Sequence, residues 1–126
     1  MRKQIIIPFH ETMQKAIIEG NKTCTSRNKK YGNPEDYFIL GENMYRLTLV
    51  LRCTLEEVAS NYYKDEGFIS SEDFVSMWNT LHPILGYVPT KKVYTHWFQE
   101  ETVTENSIPQ PRKKQVFTEN DIIMQI

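Results

Sequence analysis

Hydrophobic and polar positions alternate along this chain with two different periods, and the switches between them mark out its elements. "QIII" near the start is a short unbroken apolar run, which predicts a buried strand, and Pro8 closes it. In "FHETMQKAIIEG", Phe9, Met13, Ala16 and Ile17 recur on one face of a helix, which predicts a helix from about 9 to 19 with Gly20 as its stop. "KTCTSR" reads as a polar strand, and "NKKYGNPED" over 28–36 as loop. "YFIL", the turn "GEN" and "MYRLTLVLRC" predict an antiparallel hairpin. In its second strand Leu47, Leu49, Leu51 and Cys53 share one face, while Arg46, Thr48 and Arg52 point the other way.

The helical period returns after Thr54. "TLEE" is a capping-box pattern and predicts a helix from about 55 to 63, broken by "KDEG". Ser70 or Ser71 caps a further helix with the stripe Phe74, Met77, Trp78 and Leu81, ended by Pro83. "HPILGYVPTKK" is loop, and "KVYTHWFQEE" is a strand with Tyr94, His96 and Phe98 on one face and Val93, Thr95 and Trp97 on the other. Composition shifts after about 101: "TENSIPQPRKK" reads as a linker, and "VFTENDIIMQI" is apolar enough to dock. The expected organisation is a domain over 1–101 and a C-terminal extension over 102–126, docked as an extra strand or against a partner. Most intervals between strands are too short for parallel crossovers. The expected class is α+β: a mixed, mainly antiparallel sheet curled toward a barrel, with about three helices at its rim.

Bulk properties narrow the classes of function. The 126 residues suit one domain, and 40% hydrophobic with 25% charged residues is ordinary for a globular chain. A net charge of −1 gives no general pull on nucleic acid, so a polyanion site has to be a local patch. Two cysteines, Cys24 and Cys53, make no disulfide framework, which fits a cytoplasmic location. No stretch approaches the roughly 18 apolar residues of a membrane span. His10, His82 and His96 lie far apart and neither cysteine has metal-ligand spacing, so no metal and no cofactor is expected.

Chemistry is concentrated in "GNKTCTSR" at 20–27. A lysine and a hydroxyl three positions apart converge if the strand starts near Thr23 and Lys22 stays in the turn after Gly20. A threonine hydroxyl becomes a nucleophile only when a base takes its proton. A lysine serves as that base once burial or a second cation, here Arg27, favours its neutral form. Such pairs suit acyl transfer. The plain alternative is a polar strand facing water. Glu66 in "DEGFIS" sits between two helices beside a glycine, either as an acid reaching over a barrel mouth or as a solvated turn residue. Basic clusters at Arg27, Lys29 and Lys30, at Lys91 and Lys92, and at Arg112 to Lys114 lie near Tyr31, Tyr87 and Tyr94, a pairing that single-stranded RNA binding uses where the fold gathers it.

Four stretches in order resemble the ASCH domain family, of PUA-like β-barrel fold, over about 5–98. "GNKTCTSR" is similar to the family's G-x-K-T-x-T-x-R, "YFILGENMYRLTLVL" to its hairpin, "DEGFISSEDFVSMW" to its E-G-F-x-S-x-x-x-F stretch, and "VYTHWF" to its closing strand. The family often has a Gly-Asp pair before the hairpin; here Asp36 stands apart from Gly32 in "YGNPEDYF". The resemblance implies a positively charged cleft for RNA or a nucleoside. One small bacterial branch removes acetate from the exocyclic amine of acetylcytidine. Carried onto this chain, Lys22 is the proton acceptor, Thr25 the nucleophile and Glu66 the proton donor. Thr23, Arg27, Lys29 and Tyr94 are the expected substrate-binding residues. The expected partner is a modified nucleoside or single-stranded RNA, with no membrane. A non-catalytic RNA-binding module and a ribonuclease using the same cleft are the rival readings, and the sequence leaves the oligomeric state open.

Overall fold

The computed structural model describes residues 2–101, so the expected extension over 102–126 lies outside the described residues. The elements run α1 (Glu11–Ile18), β1 (Cys24–Arg27), β2 (Tyr37–Leu40), β3 (Asn43–Thr54), α2 (Leu55–Asn61), α3 (Ser71–Leu81) and β4 (Lys92–Glu101). The strands form one antiparallel sheet in the order β1-β4-β3-β2, curled into a half-barrel with the helices around it. The last described strand, β4, therefore lies inside the sheet, between β1 and β3.

Local chemistry explains the boundaries. The hairpin closes through Gly41 and Glu42 between the paired residues Leu40 and Asn43, with Gly41 at φ +59°, the position where a type II′ turn takes glycine. The turn is one residue tighter than "GEN" implies. Thr54 and Glu57 form the expected capping box, and Ser70, not Ser71, caps α3 by accepting a hydrogen bond from the Asp73 N–H.

Two expectations are corrected. "QIII" does not form a strand. It makes one parallel bridge, Gln4 to Tyr37, in which the Ile5 N–H donates to the Tyr37 carbonyl and the Tyr37 N–H to the Lys3 carbonyl. Pro8, which offers no N–H, follows too soon for a ladder. In β3 the four residues read as one buried face divide. Leu47 pairs with Phe98 and Leu49 with the adjacent Trp97, so Thr48 is an extra residue in a bulge. The slip reverses the side-chain alternation there. Leu47 and Cys53, at either end, stay in the core, while Leu49 and Leu51 are 43% and 40% exposed.

The core fills the concave side. Phe9, Phe38, Tyr45 and Phe98 interlock, with Phe38 stacked on Tyr45 at 5.3 Å and edge-on to Phe98 at 5.1 Å. Each such buried ring contributes on the order of 2–3 kcal/mol through area removed from water. Where Asp36 stands apart from Gly32 in sequence, the chain folds back: the Asp36 carboxylate accepts from the backbone N–H groups of Lys3 and Asn33 and lies against Gly32. Among the described residues, no helix is long and apolar enough to cross a membrane.

Candidate functional site

The site begins where α1 stops. Gly20 takes φ +84°, and the backbone N–H groups of Asn21 and Lys22 both donate to the Ala16 carbonyl, which holds Lys22 at the helix end. The next two N–H groups, of Thr23 and Cys24, donate to one acceptor, the Asp65 carbonyl, at 2.7 and 3.0 Å. This docks the turn after α2 onto the start of β1. Gly67, at φ +97°, lets the turn close: a Cβ there would lie 3.1 Å from the Lys22 Cβ. Trp97 fixes the same turn by donating its indole N–H to Asp65 Oδ2.

Docking places Glu66 against Lys22. Lys22 Nζ donates to Glu66 Oε1 and to the Glu66 carbonyl, both at 2.9 Å, and neither side chain is exposed at all. Ser26 Oγ donates to Glu66 Oε2 at 2.5 Å. Since that hydroxyl spends its one proton on the carboxylate, the 2.8 Å contact with Thr95 Oγ1 has Thr95 as donor. A directed chain results: Thr95 to Ser26 to Glu66, with Lys22 on the other carboxylate oxygen. Burying an ion pair is unfavourable unless further hydrogen bonds support it, and here the Glu66 carbonyl supports Lys22 and the Ser26 hydroxyl supports the carboxylate. Burial pushes the Cys24 thiol well up, and the Glu66 charge adds to the effect, so Cys24 is an uncharged packing residue.

The other face of β1 carries a second cluster. Arg27 Nε donates to Thr25 Oγ1 at 2.9 Å, and Nη2 donates to the Pro8 carbonyl at 2.6 Å. The guanidinium lies over the Phe9 and Tyr31 rings at 4.9 and 5.7 Å. Burial pulls Arg27 down to about 10, against the opposing pull of Tyr31 and Glu66, so it stays cationic at neutral pH. His96 accepts from the Tyr31 N–H at Nε2, which assigns the proton to Nδ1, facing the Thr25 carbonyl at 3.2 Å. Burial pulls His96 down to about 4, and the charges of Arg27 and Lys30 act in the same direction.

The sequence reading therefore meets a mixed outcome. Lys22 and Glu66 are in direct contact. Thr25 and Arg27 are joined to each other, and Glu66 is near enough for its charge to act on Arg27. Neither plain alternative survives, since Lys22, Thr25, Ser26, Arg27 and Glu66 are all buried rather than solvated. Thr23 is exposed and contributes through its backbone. Lys29 is exposed with its ammonium 4.7 Å from the Tyr31 ring centre. Tyr94 is half-buried, and Arg52 both donates to its hydroxyl and covers its ring. Ser26, Asp65, Thr95 and His96 were not singled out for the site. Ser26 and Thr95 carry no local signal, because their meeting depends on the β1–β4 register. Among the described residues, no group of three or more His, Cys, Asp or Glu side chains is placed to hold a metal ion.

No protein-family model matches the chain, and no curated protein does. Solved structures do. An ASCH protein from Zymomonas mobilis superposes with a TM-score of 0.55 at 14% identity, over 96% of this chain and 92% of that one. The protein EF3133 from Enterococcus faecalis V583, of family DUF984, gives a TM-score of 0.53 at 15% identity, over 79% and 78%. An ASCH domain from Lactobacillus crispatus JV V101 gives 0.51 at 11%, over 71% and 70%. At these identities the likeness is one of fold. The chain has the ASCH-domain fold, built around a buried lysine–glutamate pair.

Proposed function

We propose that this chain is a nucleoside- or RNA-binding ASCH-domain protein that removes an acyl group from the exocyclic amine of cytidine. The observation that carries the reading is the Lys22–Glu66 contact of 2.9 Å, sealed from water and beside a strand of hydroxyls.

The reaction needs a base and an acid at once. Moving one proton from Lys22 Nζ to Glu66 Oε1 keeps the pair neutral overall and yields both, a neutral amine and a carboxylic acid. Thr25 Oγ1 attacks the acyl carbonyl; it lies on the face of β1 opposite Lys22, so its proton reaches Lys22 through a bridging water. The oxyanion forms near the Arg27 cation, which already touches Thr25 Oγ1. As the intermediate collapses, Glu66 protonates the departing amine and cytidine leaves. Water then releases the acyl group from Thr25. In this reading Thr23, Lys29 and Tyr94 are assigned to holding base or phosphate. Because the pair is fully buried, turnover requires the turn that carries Glu66 to open.

The test is chromatographic release of cytidine from acetylated cytidine by wild type, Thr25→Ser and Thr25→Ala. Release that survives in Thr25→Ser and vanishes in folded Thr25→Ala supports the reading. Equal release by Thr25→Ala removes Thr25 as nucleophile. The rival is a non-catalytic RNA-binding module, favoured by Lys29 over Tyr31 and Arg52 over Tyr94. No release, together with salt-sensitive retention of intact short RNA, decides for it; cleavage of that RNA decides for the ribonuclease reading.

A further inference from the structure

We propose that a cavity at the C-terminal end of α3, separate from the Lys22–Glu66 pair, is a binding site for a planar ring carrying a negative charge. The cavity is about 410 Å³, and its walls include Trp78, His82, Ile84, Leu85, Lys91 and Asn28. That volume suits a small molecule.

Three observations set the ligand's chemistry. The Trp78 indole N–H is buried and meets no acceptor among the described residues. Trp78 also belongs to the cavity wall, so this unpaired indole reports on what fills the cavity. Next, the His82 ring stacks on Trp78 at 4.1 Å and 16°, beside Ile84 and Leu85, which are 95% and 72% exposed. A stacked ring pair with an apolar lip offers a flat partner more contact than a chain-like one. Finally, the described lining holds a lysine and no carboxylate, and the charges of Lys91 and Arg27 both bear on His82. The field selects an anion.

The cavity is also built in advance. The Tyr87 N–H donates to Asn79 Oδ1 at 2.8 Å and the Gly86 N–H to the His82 carbonyl at 2.7 Å. Gly86 takes φ +64°, and a Cβ there would lie 2.8 Å from Asn79 Oδ1. The loop that carries Ile84 and Leu85 is therefore pinned at its base while its apolar tip faces water.

The chain has two tryptophans, so nitrogen-15 labelling of the full chain gives two indole N–H signals. Trp97 is already bonded to Asp65 and serves as the reference, assigned by its loss in Trp97→Phe. The probes are cytidine 5′-monophosphate, adenosine 5′-monophosphate, benzoate, and uncharged cytidine. The expected result is a saturable move of the Trp78 signal with anionic rings, absent with cytidine, and an affinity about tenfold weaker in Lys91→Ala. Binding of the monophosphates alone identifies the source as nucleotides; binding of benzoate as well extends it to aromatic acids. A Trp78 signal that no probe moves at millimolar concentration overturns the proposal. So does a ligand-free signal already at a hydrogen-bonded position, which would mean that the indole has an acceptor without any ligand. The readout is independent of hydrolysis, so failure here and failure of the amidohydrolase reading are told apart.

Discussion

The strand that carries hydroxyls is dry, and the strand that carries leucines is partly wet. In β1 every residue from Cys24 to Arg27 is buried, although only Cys24 is apolar. In β3, Leu49 and Leu51 stand in solvent. The difference lies in what covers each. The Asp65–Gly67 turn closes over one face of β1, and Pro8 and Phe9 close over the other, each supplying hydrogen-bond or ring partners. Beyond its bulge, β3 presents leucines outward. Position in this fold follows available partners more than side-chain polarity, and a buried polar strand is stable only while its pairing is complete.

The sharpest way to break the comparison is to remove one partner. Lys22→Met leaves Glu66 buried without its cation and is expected to lower stability by about 3–5 kcal/mol in urea unfolding. Lys22→Met combined with Glu66→Leu is expected to recover most of that. A double variant as unstable as the single one would mean that shape, not pairing, holds β1. The next largest effect is in pH. His96 is at about 4 in the folded chain and near 6.5 when unfolded, so the unfolded state binds the extra proton. Stability is complete above pH 6.5 and falls as pH drops toward about 4, by roughly 3 kcal/mol in all. Unfolding midpoints at stepped pH check this, and His96→Gln is expected to flatten the slope across that window.

Ser26→Ala takes one donor from Glu66 and one acceptor from Thr95, and is expected to cost about 1–3 kcal/mol. An unchanged midpoint would show that water replaces the hydroxyl and that β1 is less dry than its contacts indicate. The smallest effect belongs to the other strand. Leu49→Thr and Leu51→Thr are expected to stay within about 0.5 kcal/mol of wild type by thermal unfolding. A large loss from either would return β3 to the core and remove the contrast.

Much of the architecture was legible because its signals are local. The 3.6-residue stripes gave α1 and α3, "TLEE" gave the start of α2, and Gly41 between apolar runs gave the hairpin. What failed depends on register. The alternation of Leu47, Leu49 and Leu51 is perfect in sequence, and only pairing with β4 reveals the bulge that turns two of them outward. "QIII" has strand composition but lies one position from a proline, at the edge of β2. In the site, Lys22 and Glu66 were legible through the family-like stretches that carry them. Ser26, Thr95 and His96 were not, since each acts through a residue dozens of positions away.

That separation has a consequence for how the molecule comes into being. Lys22 meets Glu66 across 44 positions, Ser26 meets it across 40, and Ser26 meets Thr95 across 69. Contacts between such distant segments form slowly, because the chain gives up loop entropy before they reward it. β4 is the last of the described strands to be synthesised, and β1 and β3 both pair with it. A nascent chain on the ribosome holds Lys22 and Ser26 long before it holds Thr95, so the polar network closes only once β4 has emerged.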